Sequence, residues 1–205
     1  MSTLLPLTPD ELLTTTRAVR KRLDLDRPVP VEIVLEALEV GLQAPSGSNK
    51  QHWHWIVLTD PEVKGKVAEF YRRSHLAYSA QRGEQTGTAA RVAASSDHLR
   101  EVLADVPVLV IGALEVGTLP EGNQAGVWGS LLPAAWNFAL ALRARGLGTT
   151  WTTLHLPYER EVAEVLGIPE GVRQGVLLPV AYTIGTDFKP GPRADLDRVV
   201  HLNGW

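Results

Sequence analysis

The sequence predicts an α+β fold, with a central mixed, mostly antiparallel sheet flanked by helices, and three observations carry that prediction. Helical and strand patterns interleave, yet only about four strands are legible and their spacing is uneven, which argues against a doubly wound sheet. Two of the strands, 106–113 and 175–183, are continuous apolar runs of the kind buried on both faces. With 44% hydrophobic and 21% charged residues over 205 positions, the chain can bury a full core. That length favours a single domain spanning 1–205, with 187–205 as an irregular tail.

The elements follow in order. Thr8-Pro9-Asp10-Glu11 supplies a capping hydroxyl, a proline at the first helical position and a glutamate three residues after the cap, so a helix starts there. A second helix opens near Pro30, sets Val31, Val34, Leu35, Leu38 and Leu42 on one face, and ends before Pro45. Trp53–Leu58 reads as a strand. Asp60-Pro61-Glu62 starts a helix that runs toward 74–85, and helix resumes over 88–103. After the central strand at 106–113 comes a polar loop, 117–126, and then a long apolar helix, 127–145, kinked by Pro133 and stopped by Gly146. A helix apolar nearly all round belongs in a core or a subunit interface. Residues 149–154 are rich in β-formers, 157–166 form a helix ended by Gly167, and 175–183 close the regular structure.

Composition removes several function classes. A formal net charge of −3 provides no basic field for nucleic acid or an anionic membrane. The absence of cysteine excludes disulfides, thiolate nucleophiles and thiolate metal sites, and suits a reducing compartment. The stretch 1–7 is apolar but short and lacks a positive flank, and no apolar run is read as long enough to span a bilayer, so a cytoplasmic protein is expected. Gly146-Leu147-Gly148 is no dinucleotide fingerprint, since it follows a helix and Trp151 stands where the third glycine belongs. His52 and His54 share a strand face without a nearby carboxylate, so no metal site is expected.

Four stretches carry chemistry. Thr16-Arg17-Ala18-Val19-Arg20-Lys21-Arg22 places four cations within six residues; a solvated basic turn accounts for them, and so does a clamp on a phosphate. Ala44-Pro45-Ser46-Gly47-Ser48-Asn49-Lys50-Gln51-His52-Trp53 is a turn dense in hydrogen-bonding side chains, suited to the polar edge of a ring. Gly146-Leu147-Gly148-Thr149-Thr150-Trp151-Thr152-Thr153-Leu154 joins a helix end to threonines around a tryptophan, where glycines let a planar ligand approach the backbone. Phe188-Lys189-Pro190-Gly191-Pro192-Arg193 matters if the tail folds back toward Arg17 and Arg20.

In this order the four stretches resemble the nitroreductase family, over most of the chain and least over 74–106 and 115–126. The most specific match is Ala-Pro-Ser-Gly-x-Asn-x-Gln leading to Trp53. Thr16 and Ala18 stand where the family commonly has Arg and Ser, His52 where it has Pro, and Gly191 where a second basic residue is frequent. The resemblance implies an intertwined homodimer with a C-terminal extension, holding FMN noncovalently at the subunit interface. On that resemblance Arg17, Ala18, Val19 and Arg20, with Arg193, would hold the phosphate and ribityl chain. Pro45, Ser46, Gly47, Asn49 and Gln51 would reach the flavin of the other subunit. Thr150, Trp151, Thr152, Thr153 and Leu154 would line the ring, with backbone amides near its N5. The implied activity is ping-pong hydride transfer from NADH or NADPH, a transient co-substrate, through FMN to a nitroaromatic, quinone or similar small planar acceptor. Flavin N5 then carries the chemistry, so no catalytic side chain is expected. The alternatives are a flavin-binding or sequestering protein without turnover, and a flavin-fragmenting or dehalogenating specialist, whose dedicated lid residues 74–85 do not display.

Overall fold

Four antiparallel strands order the rest of the chain around them. In the computed structural model, which describes residues 3–205, β1 (Trp53–Leu58), β2 (Val108–Glu115), β3 (Leu147–Gly148) and β4 (Val172–Tyr182) lie in the order β1-β2-β4-β3. Met1 and Ser2 are outside the described residues, so part of the 1–7 reading falls there. Every pairing between these strands is antiparallel. The parallel component of the expected sheet reduces to one bridge, Ala18 with Thr149.

Strand β2 is central, and seven of its eight residues are buried, as its unbroken apolar sequence requires. Alternate residues point to opposite faces. Leu109 and Ile111 join Leu177 in one apolar cluster, whereas Val108 and Val110 join Val176, Leu178 and Val180 in another. On the first face lie α3 (Pro61–Ala80), α4 (Gly87–Val102) and α6 (Glu159–Leu166); on the second, α2 (Val31–Gly41) and α5 (Ala125–Ala144). Helix α1 (Pro9–Thr15) carries the predicted capping box: Thr8 accepts from the Glu11 amide at 3.2 Å, and Glu11 accepts from the Thr8 amide at 2.8 Å.

Helix α5 starts at Ala125, two residues before the expected position, and carries Pro133 inside it as expected. It is also long and apolar enough, by length and composition, to cross a membrane, contrary to the reading that no run qualifies. Its buried side chains, among them Leu131, Ala135, Phe138 and Leu142, are those of a core helix. Helix α2 approaches it closely at Gly41, where a Cβ would stand 3.1 Å from the Ala134 carbonyl oxygen and from Phe138 Cβ.

The expected strand over 149–154 does not form. In the register that pairs Leu147 with Tyr182 and Gly148 with Ala181, Thr150 faces Pro179. Proline has no N–H for a ladder. Pairing resumes for one step only, where Thr152 and Leu177 exchange hydrogen bonds of 3.1 and 2.9 Å. The β-branched threonines fit a pleated surface, but their partner strand cannot bond them throughout.

Phe138 is fully buried between α2 and the sheet, 5.9 Å from the Trp55 ring. Truncation of a buried Phe to Ala typically removes about 3–5 kcal/mol. Phe138→Ala is therefore expected to lose that much in a urea titration; a loss under about 1 kcal/mol would contradict the packing described.

Candidate functional site

The first and third stretches meet through the backbone. After α1 ends, the Val19 amide donates to the Thr149 carbonyl at 2.9 Å, beside the Ala18–Thr149 bridge. Val19 is buried in the sheet-side cluster, which fixes the direction of its neighbour Arg20. Arg20 borders a cavity of about 540 Å³ together with Tyr71, Thr152, Thr153 and Leu154. The α3–α4 hairpin closes the other side with Tyr78, Arg82 and Ser96.

The fourth stretch joins them. Arg22 donates to the carbonyls of Ile184 at 2.8 Å and Asp187 at 3.0 Å, and its guanidinium lies 4.1 Å from the Phe188 ring centroid. Arg143 donates to the Thr186 carbonyl at 2.9 Å and lies 4.9 Å from the same ring. Further along, the tail crosses Arg17 so closely that a Cβ on Gly191 would collide with its guanidinium. Arg193 is exposed and donates to the carbonyl of its own neighbour Pro192. The basic cluster thus divides: Arg22 anchors the tail, while Arg17 and Arg20 have no acidic partner within ion-pair distance among the described residues.

The second stretch stands apart. Pro45, Ser46, Gly47, Asn49 and Gln51 belong to a loop of which Gly47, with Ser48 and Lys50, lines a separate cavity of about 680 Å³ together with Leu114, Gly117, Val127 and Ser130. The Gly47 amide donates to Ser130 Oγ at 2.9 Å, the Gln51 amide to Ser46 Oγ at 3.2 Å, and Gln51 Nε2 to Asn49 Oδ1 at 2.9 Å. Ser48, Asn49 and Gln51 have φ of +53°, +53° and +54°. Left-handed backbone at non-glycine residues costs on the order of 1 kcal/mol each and concentrates at functional loops.

Two expectations for the third stretch are corrected. Gly148 does not open the backbone to a planar ligand; the space its Cβ would fill is taken by Thr183 Cγ2 at 2.6 Å and Val19 Cβ at 3.0 Å. Gly146, at φ +75°, makes the turn out of α5. The Thr152 amide is committed to Leu177, whereas the amides of Thr150, Trp151, Thr153 and Leu154 make no main-chain bond.

Sequence reasoning missed Tyr71, Arg82 and Arg143. Tyr71 is buried beside Thr152; burial pushes its phenol up, against a hydrogen bond with Thr152 and the charge of Arg20, so it stays protonated. Arg82 pairs with Asp97 at 2.8 Å, and buried His75 bonds Ser96 at 2.9 Å, fastening α3 to α4. Burial and the nearby Arg100 hold His75 below its ordinary value, with Asp97 opposing. Arg143 had a visible signal, a cation inside an otherwise apolar helix.

The arrangement suits a planar cofactor with an anionic end. Arg17 Nη1 and the hydroxyls of Thr149 and Thr150 are buried and have no hydrogen-bond partner within the chain, which is the condition of donors that await a ligand or bound water. Arg20 is partly buried, which draws its pKa down, yet a guanidinium stays charged.

The family model described as "Nitroreductase family" matches residues 13–184. An iodotyrosine deiodinase from Thermotoga neapolitana is 30% identical over 176 residues, covering 83% of this chain and 86% of its own length. A putative NADH dehydrogenase/NAD(P)H nitroreductase from Methanothermobacter thermautotrophicus is 28% identical over 201 residues, covering 95% of this chain and 86% of its own. Oxidized iodotyrosine deiodinase, solved with FMN and 3-iodo-L-tyrosine, has a TM-score of 0.73 at 27% identity and covers 96% of this chain and 99% of that one.

Directly after the cavity-lining segment, His155 is fully buried with neither ring nitrogen partnered. Burial lowers its pKa to about 4, with Glu159 opposing. Unfolded, the ring titrates near 6.5, so the unfolded chain takes up the proton first and stability falls as pH drops from about 6.5 toward 4. Between pH 7.5 and 5 this one group should remove about 2 kcal/mol. Denaturant titrations of wild type and His155→Leu should therefore differ in pH slope, the variant being flatter; equal slopes would acquit His155.

Proposed function

We propose a function for a chain that belongs to the nitroreductase family: an FMN-dependent oxidoreductase that takes hydride from NADH or NADPH and hands it to a nitroaromatic, quinone or similar planar acceptor. The observation that carries this reading is the backbone strap from Val19 to Thr149, which sets Arg20 in one cavity with Thr152, Thr153 and Leu154 while the tail folds onto Arg17. Bound FMN would supply reversible two-electron chemistry, and the chain's residues would bind, orient and shield it.

Arg17, Ala18, Val19 and Arg20, with Arg193, are assigned to the phosphate and ribityl end, and Thr150, Trp151, Thr152, Thr153 and Leu154 to the ring. The Thr153 and Leu154 amides would direct dipoles at the ring, where extra electron density has to be held. The α3–α4 hairpin covers one side of the cavity and would shield a bound ring there. A second copy would bring its own Pro45, Ser46, Gly47, Asn49 and Gln51. The apolar side chains Leu13, Leu35, Val40 and Trp136, exposed on α1, α2 and α5, support such a homodimer.

The deiodinase relatives favour one other reading, reductive dehalogenation. Against a free amino acid as substrate stands the cavity lining, which offers Arg20 and Arg82 but no carboxylate for an ammonium group.

Purified protein incubated with FMN is expected to show a bound-flavin spectrum, and NADH or NADPH to bleach it without air; no bound flavin would end this reading. Bleaching restored by a nitroaromatic or quinone supports the reductase, and iodide release from iodotyrosine the dehalogenase. A bound flavin that neither nucleotide bleaches would mark a sequestering protein. Arg20→Gln and Arg193→Gln should each weaken FMN binding roughly tenfold by flavin fluorescence, the worth of one charged hydrogen bond; unchanged affinity in both would remove them from the clamp.

A further inference from the structure

Beside the strap lies a small cavity of about 80 Å³, lined by Thr16, Arg17, Trp136, Arg143, Thr149 and Thr150. Most of its polar groups share an unusual condition. Arg17 Nη1, Arg143 Nε and Nη1, and the hydroxyls of Thr149 and Thr150 are buried and lack any hydrogen-bond partner, whereas Thr16 Oγ1 donates to the Leu12 carbonyl at 2.6 Å. Buried donors in folded chains are nearly always satisfied, so several unsatisfied ones lining one cavity point to a ligand. Arg143 is only 4% exposed, and neither it nor Arg17 has an acidic partner within ion-pair distance among the described residues.

We propose that Arg143 is a cofactor-binding residue, which with Arg17, Thr149 and Thr150 forms a buried site for a phosphate dianion, so that Thr150 moves from the ring to the phosphate end. The proposal rests on the FMN reading above and adds a residue from α5 that no motif marks. Thr16 and Ala18 stand where the family commonly has Arg and Ser, so the N-terminal segment lacks one guanidinium and one hydroxyl for an anion. Arg143 and the threonine pair supply both kinds of donor from a different element.

Several features fit a phosphate in particular. Arg143 is held by its Nη2 bond to the Thr186 carbonyl and by the Phe188 ring, which leaves Nε and Nη1 as two separate buried charged donors. Charged N–H donors make short, strong bonds to phosphate oxygens. Two guanidiniums balance the charge of about −2 that a phosphate monoester carries near neutral pH. The cavity has room for a tetrahedral group but not for a ring system, which belongs in the larger cavity beyond the strap. Gly191 gives Arg17 the space to take its place, since a side chain there would displace it.

The source of the phosphate is either FMN or inorganic phosphate, and riboflavin separates them. Wild type, Arg143→Gln and Arg143→Lys would be titrated with FMN and riboflavin by fluorescence quenching, and each flavin-free protein melted with and without inorganic phosphate. Wild type should prefer FMN to riboflavin, and Arg143→Gln should cut that preference about tenfold or more while riboflavin binding holds. Arg143→Lys should recover part of it. A fall in both affinities by the same factor would assign Arg143 a structural role and overturn the proposal, as would no change in either. Should wild type bind neither flavin yet melt higher with phosphate in an Arg143-dependent way, the FMN reading falls and the anion site stands with inorganic phosphate. Phosphate protection absent from wild type along with flavin binding would end both.

Discussion

The hydrogen bond from the Val19 amide to the Thr149 carbonyl sits where β3 breaks away from β4, and the candidate site is assembled around it. The break has a covalent origin. Pro179 faces Thr150 and has no N–H, so the edge ladder lapses after two residues and the chain from 149 to 154 is released from regular pairing. An edge strand with unmet backbone groups accepts another segment. Here that segment is 18–19, coming from α1, and it brings Arg17 and Arg20 with it. The recapture of the chain at Thr152 by Leu177 then fixes which amides remain available beyond it.

From this follows the division of labour among the cations. Arginines at 17, 20, 22 and 143 all lie near the strap or the tail, and packed together they would repel unless each had its own environment. Arg22 is occupied by the carbonyls of Ile184 and Asp187 and by the face of Phe188. Phe188 also meets Arg143, so a single aromatic ring ties the tail to both. The tail so anchored is what carries Gly191 over Arg17. The basic cluster therefore divides: Arg22 is architectural, whereas Arg17 and Arg20 have no acidic partner within ion-pair distance among the described residues.

Helix positions and the central strands were legible in the sequence because their signals are local. The capping box at Thr8, the apolar face of α2, Gly167 at φ +64° and the unbroken apolar β2 each follow from a few adjacent residues. What escaped depends on pairs distant in sequence. That 149–154 would not be a strand is decided by Pro179, and that Gly148 serves packing is decided by Thr183 and Val19. Tyr71 and Arg82 entered the cavity only through the α3–α4 hairpin, whose generic sequence over 74–85 gives no hint of what it covers.

Where the chain breaks its own rules is informative in a final respect. Most of it is locally consistent, with caps, turns and apolar faces agreeing with the fold. Several exceptions cluster, with left-handed backbone at Ser48, Asn49 and Gln51 and unpartnered donors at Arg17, Arg143, Thr149 and Thr150, while others, such as Asn203, Trp55, His155 and Gln174, lie elsewhere. The clustered ones coincide with three of the four stretches singled out for chemistry, or line the same cavity. A strained loop and a set of desolvated donors each cost stability in the isolated chain, and each is offset when something else supplies the missing interactions. For the donors, an anion of the right size provides them. The loop faces a different cavity, so whatever relieves it cannot be the same group bound within the same chain. Under the proposed homodimer, a second copy presenting its own ligand to that loop would satisfy both conditions at once and would link cofactor binding to the association of two chains.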